Sequence, residues 1–167
     1  MAGIIITAAS HLTYAQLQQG SDMKTATVEY QMPYPGLLPD SPIYGFKKLR
    51  DFVWLMGTGD YGKKAEVLLL LSDKQMKGAE LMMDKGKAGA SVEMARRSEE
   101  LFRQILENNK KGQQQGRKPQ SEFIQQLKLS NQKHAEIITD LLTEAPQGKR
   151  AELEEVLEMN ESIAGKI

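Results

Sequence analysis

The chain contains no cysteine, so disulfides, thiolate metal sites and cysteine nucleophiles are excluded. Aromatic residues make up 6% of it, with a single tryptophan, which argues against a stacking platform for bases or sugars. An excess of charge of either sign is missing as well. Lys and Arg number 22 and Asp and Glu 22, so no overall field draws the chain toward nucleic acid or an anionic membrane. Glycines occur singly, which removes a phosphate-cradling loop, and no D-x-D-x-D-G calcium loop is present. Neither H-x-x-x-H nor E-x-x-H spacing occurs, so no zinc site can be read from the sequence, and no cofactor is expected.

At 167 residues the chain fits one domain, able to bury roughly two-thirds of its unfolded surface. Its N-terminus, MAGIIITAASHLTYAQ, offers a short apolar run from Gly3 to Ala9, far too short to span a bilayer. Thr13 and Ala15 place small residues at the minus-three and minus-one positions of a cut after Ala15, as at a secretory cleavage site. Residues 1–15 therefore read as the remnant of a signal peptide, which puts the chain outside the cell or at its envelope. No positive charge precedes the apolar run, so either the true start lies upstream of Met1 or the segment packs on the domain.

Residues 16–40 read as an extended arm, in which Thr25 to Tyr30 alternate as a weak edge strand, followed by a proline-rich strap. Pro33, Pro35, Pro39 and Pro42 hold the backbone extended, while Tyr34, Leu37 and Leu38 are apolar in a way a free spacer does not need. The expectation is that the strap lies across an open groove, with Gly36 at its turn, Ser41 capping the first helix and Pro42 in its first turn.

From residue 41 to 167 the pattern is helical. Ile43, Phe46, Leu49, Val53 and Met56 recur at three- and four-residue spacing and are expected inward, and Gly57-Thr58-Gly59 ends the run. A second helix, about Asp60 to Asp84, sets Ala65, Leu68, Leu69, Ser72, Met76, Ala79 and Met83 on one face. The third, about Ala90 to Lys111, carries Val92, Ala95, Phe102, Ile105 and Leu106. A solvated basic connection, KKGQQQGRKP, leads to a fourth helix, about Pro119 to Thr143, with Phe123, Leu127, His134, Ile137, Ile138, Leu141 and Leu142 inward. Pro146 breaks it, and a fifth helix, about Gly148 to Ala164, turns Leu153, Val156, Leu157 and Met159 inward. The fold class is all-α: an antiparallel bundle of about five helices preceded by the strap.

The stretches YPGLLPDSPIYGFKKLRD, KKAEVLLLLSDKQM and KHAEIITDLLTEAP make the chain resemble the helical proteins grouped as the domain of unknown function 5667 family. The resemblance covers roughly residues 31 to 165. It implies export and an all-helical fold, and no catalytic residue can be carried over from it.

Chemistry is sparse. Of two histidines, His11 lies in the segment expected to be removed and His134 stands on the inward stripe of the fourth helix. A general base would need an orienting carboxylate and a nucleophile, which spacing does not supply. His134 reads as a core histidine bonded to a neighbouring helix. The alternative is a soft metal site joining it to Met76, Met82, Met83 or Met94, suited to cuprous copper. The carboxylates at Glu152, Glu154, Glu155 and Glu158 read as a solvated face, and Asn160-Glu161-Ser162 is a glycosylation sequon, usable on an exported chain whose end frays. The function expected is a non-enzymatic structural or interaction protein at the envelope, with an envelope or protein partner and no nucleic acid. The alternative is a small-ligand or metal-binding module with a pocket near His134.

Overall fold

Helix boundaries follow the capping and breaking signals carried by the connections. The computed structural model describes residues 28–167, which form five helices: α1 (Tyr44–Gly57), α2 (Tyr61–Asp84), α3 (Ala88–Gln114), α4 (Ser121–Glu144) and α5 (Gln147–Ala164). Asp60 caps α2, its carboxylate accepting the Lys63 amide at 3.0 Å. Gly86, at φ +69°, ends α2 in a left-handed turn, with the Lys87 amide donating to the Met82 carbonyl at 2.9 Å. Before Pro146, Ala145 is pushed to the extended region (ψ 140°), and α4 stops.

The tight α2–α3 and α4–α5 connections make each pair antiparallel, and α3 against α5 and α2 against α4 close the bundle. The chain is thus an all-α antiparallel bundle with five helices, and no strand occurs among the described residues. The predicted face of α2 is buried throughout, from Ala65 to Met83, as are Val92, Ala95, Phe102 and Ile105 of α3. Two apolar halves result. Leu68, Phe102, Ile105, Leu127 and Ile163 belong to one, and Met76, Met82, Met94, Ile138, Leu141 and Leu153 to the other.

Three expectations about the helices are corrected. First, Ser41 does not cap a helix: Ser41 donates its amide to Leu38 and accepts that of Tyr44, so residues 38–44 form two successive turns and α1 starts after Ile43. Second, α3 runs on through Gly112 to Gln114 and absorbs part of the basic connection. Gly112 is buried against Tyr61, where a Cβ would come within 3.3 Å of that ring's stem, and Asn108 Nδ2 donates to the Tyr61 carbonyl at 2.6 Å, so the start of α2 holds the end of α3. Third, the apolar stripe of α1 is not inward. Phe46, Leu49, Val53 and Met56 are 74%, 59%, 60% and 69% exposed.

The arm and strap run over the outside of this bundle. The Val28 amide donates to Glu136 of α4 at 3.0 Å, and Asp40 takes Lys85 and Lys87 at 3.0 and 3.1 Å, which holds its carboxyl below the usual range. Val28 to Tyr30 is not a strand; the rest of the predicted arm and the cut after Ala15 lie outside the described residues. Within the strap Pro35 is buried, Gly36 makes the turn at φ +73°, and Pro39 is half-buried. Met32 and Leu38 pack on the methionine-rich half of the core, and Leu38 sits beside Gly78, where a Cβ would collide with the Met94 side chain. Tyr34 and Leu37, expected on the groove, are exposed at 78% and 39% because the turn at Gly36 points them away. Replacing Leu38 by serine is therefore expected to cost about 1–2 kcal/mol, a shift of several degrees in Tm, while Leu37→Ser changes it little. Thermal melts of the two single variants check this.

Candidate functional site

Between the two apolar halves, each of α2, α3, α4 and α5 contributes polar side chains at one level. They are Ser72 and Asp73 from α2, Ser98 and Glu99 from α3, Ser130, Asn131 and His134 from α4, and Asn160 from α5, all buried. His134 is the centre of the layer. Its Nδ1 lies 2.8 Å from Glu99 Oε1 and its Nε2 3.1 Å from Asp73 Oδ1, so a carboxylate faces each ring nitrogen. Only the doubly protonated imidazolium donates to both. Burial pushes the ring toward neutrality, but the hydrogen bonds and charges of Asp73 and Glu99 outweigh it and raise its pKa to about 9. Phe102 meets the ring edge-on, with centroids 5.6 Å apart.

The carboxylates are themselves held. Asp73 Oδ1 accepts the Ser130 hydroxyl at 2.6 Å and Oδ2 the Tyr30 hydroxyl at 2.6 Å. Burial and the charge of Asp73 keep the Tyr30 phenol well above its usual range. Glu99 Oε2 accepts from Asn160 Nδ2 at 3.4 Å, and Asn160 and Asn131 exchange side chain-to-carbonyl bonds at 3.1 and 3.3 Å. Ser72 and Ser98 bond each other's backbone carbonyls at 2.9 and 2.8 Å, clamping α2 to α3.

This arrangement can hold charge, but it offers little to a ligand. Both nitrogens of His134 are committed, so no lone pair faces a copper ion, and Met76, Met82, Met83 and Met94 belong to the apolar half of the core on one side of the layer. Among the described residues no group of three or more His, Cys, Asp or Glu is arranged to hold a metal. Asn160 is 2% exposed in the interior, so its sequon lies on a buried face of α5 and does not present the amide to a transferase. The predicted solvated face of α5 is outward, with Glu155 paired to Arg96 and Glu152 to Lys149.

A second feature lies on the outside, at α1. This helix presents its polar arc to the bundle: Lys47 is 5% exposed and its Nζ donates to the Pro35 and Leu37 carbonyls of the strap at 2.7 and 3.0 Å. Burial pulls the Lys47 ammonium below the usual lysine range. Between α1, the strap, α2 and α3 runs an open groove of ≈ 630 Å³, walled by Phe52, Leu55, Leu71, Met94 and Leu101 with Glu93 and Arg97 at its polar edge. The model of the family described as a domain of unknown function (DUF5667) matches residues 36–159, from the turn of the strap to the last helix. The chain belongs to the DUF5667 family. The match takes in α1, the groove and the His134 layer, so both features lie within the DUF5667 unit. No curated protein and no solved structure matches the chain.

Sequence reasoning placed His134 inward but missed its partners. Asp73 and Glu99 stand one residue beyond the small polar Ser72 and Ser98, and a serine–acid pair at the same level of two adjacent stripes is the signal that could have found them. Tyr30 gave none, since its role depends on where the arm crosses α2 and α4.

Proposed function

We propose that the chain is a non-catalytic interaction module of the cell envelope that docks through α1. The observation that carries this reading is the stripe on α1 that no described residue covers, with five large apolar side chains, Phe46, Leu49, Phe52, Val53 and Met56, each at least 59% exposed. A soluble helix normally buries such a face, and a contiguous exposed apolar patch marks an interaction site. Support for a non-catalytic role is that His134, the one histidine among the described residues, has both nitrogens taken up by buried carboxylates. Support for export is the Gly3–Ala9 run followed by small residues before Gln16.

Fractionating cells of the native host tests the reading. The wild-type chain is expected with the envelope, beginning at Gln16, and the variant Phe46→Ser with Val53→Ser is expected to leave that fraction while melting like the parent. An intact Met1 on cytosolic wild-type protein overturns it. The small-ligand alternative would use a surface recess of ≈ 390 Å³ whose walls include Tyr30 and Asp73, themselves hydrogen-bonded.

A further inference from the structure

The stripe on α1 is apolar without interruption. Its arc, from Phe46 through Leu49, Phe52 and Val53 to Met56, contains no charged residue. Of the described cations on this helix, the Lys47 ammonium sits on two strap carbonyls and the Arg50 guanidinium is paired with Asp51 at 2.7 Å. An arc of phenylalanine, leucine, valine and methionine without charge has the composition of a protein interface core, above all of one between identical chains.

The area is sufficient for such a contact. A buried phenylalanine removes about 150–250 Å² from water, so Phe46 and Phe52, at 74% and 60% exposure, with Leu49, Val53 and Met56, present on the order of 600 Å² of accessible surface. The groove alongside enlarges the face toward the about 800 Å² per partner of a standard interface.

That groove, of ≈ 630 Å³, supplies the second half of a self-complementary face. Phe52 belongs to both features: it is exposed on the stripe, and it walls the groove with Leu55, Leu71, Met94 and Leu101. Ridge and groove thus adjoin on one chain. A two-fold axis beside Phe52 would lay each copy's stripe over the other's groove, the isologous arrangement of the commonest oligomers. A net charge of zero leaves no long-range repulsion between the copies. The chain's own residues 16–27 fit the stripe less well, because Leu17 and Met23 are their only large apolar side chains against five to be covered.

We propose that α1 pairs with a second copy of the chain, stripe over groove about a two-fold axis. The proposal rests on the docking reading of α1 and names its partner. Retention at the envelope is then a property of the pair, through avidity.

Sedimentation of the full chain over a series of concentrations tests this. The wild type is expected to run at twice the chain mass of 18.7 kDa and to dissociate on dilution. Phe46→Ser with Val53→Ser is expected to weaken pairing on the order of ten-thousandfold, since the two-fold repeats each change and each large apolar side chain is worth tenfold or more. Phe46→Ser alone should weaken it about a hundredfold by the same arithmetic, and carries the test if the double variant does not fold. Melts at a dilution where the wild type is monomeric should be alike for all three. A wild type that is monomeric at every concentration overturns the proposal, as does a dimer that survives in the double variant, which would place pairing outside α1. A monomeric wild type that melts well above the double variant overturns it too, and seats residues 1–27 of the same chain on the stripe. The two readings fail separately. If the wild type is monomeric but the double variant still leaves the envelope fraction, pairing fails and docking through α1 onto a different protein stands. Envelope fractionation indifferent to the double variant removes the docking reading itself.

Discussion

Replacing His134 by alanine is expected to destabilise the chain by about 3–5 kcal/mol, the cost of removing one partner from a buried ion group. For a domain of this size that lowers the melting temperature by roughly 10 °C or more. The substitution leaves Asp73 and Glu99 buried at 2% and 0% exposure with no cation between them. Ser130 and Tyr30 still donate to Asp73 and Asn160 to Glu99, but neutral donors do not cancel a desolvated charge. A cavity beside Phe102 adds to the loss. The comparison that separates charge from packing is a double-mutant cycle. In a Glu99→Gln background His134→Ala should cost less than in the wild type, by a coupling of about 0.5–3 kcal/mol. If His134→Ala melts within a degree or two of the wild type, or costs as much in the Glu99→Gln background as in the wild type, the layer is not held by its charges. Such a group is weak evidence for stability in its own right; its use here is to set the level at which α2, α3, α4 and α5 meet, since a slip of one turn in any helix strands a carboxylate in the apolar half of the core.

The same geometry makes stability fall in mildly alkaline solution. His134 has a folded pKa of about 9 against an ordinary value of 6.5, and Asp73 of α2 and Glu99 of α3 are the charged groups facing it. A group whose pKa is raised by folding contributes stability that is complete below the unfolded value and disappears as pH rises through the folded one. The stabilisation is therefore present at pH 6.5, declines toward pH 9, and amounts to a few kcal/mol over the window at no more than about 1.4 kcal/mol per pH unit. Melts of the wild type between those limits should shift downward steadily, and His134→Gln, which cannot titrate, should remove the slope. The imidazole resonances should titrate near pH 9. A flat wild-type profile, or a His134 midpoint near 6.5, contradicts the imidazolium assignment.

Much of the fold could be read from spacing because helical periodicity and breakers are local properties. The inward faces of α2 to α5 follow from apolar residues three and four apart, and their ends from Asp60, Gly86 and Pro146. The centre of the bundle was half legible. His134 falls on its stripe by periodicity, whereas Asp73 and Glu99 look in a linear sequence like any other acidic residue on the edge of a helix. Only the packing of α2 and α3 around α4 brings their oxygens to 3.1 and 2.8 Å of the ring.

The sequence by itself determined that the chain is helical, where most helices begin and end, and which face of each is apolar, because these depend on residues within a turn or two of one another. Tertiary structure decided which apolar faces are covered. On α1 the stripe at Phe46, Leu49, Val53 and Met56 has the same periodicity as those of the bundle. It ends up outward because the strap supplies two carbonyls for the Lys47 ammonium on the opposite arc. A buried lysine head needs those acceptors, and no pattern within a single helix records where they will come from.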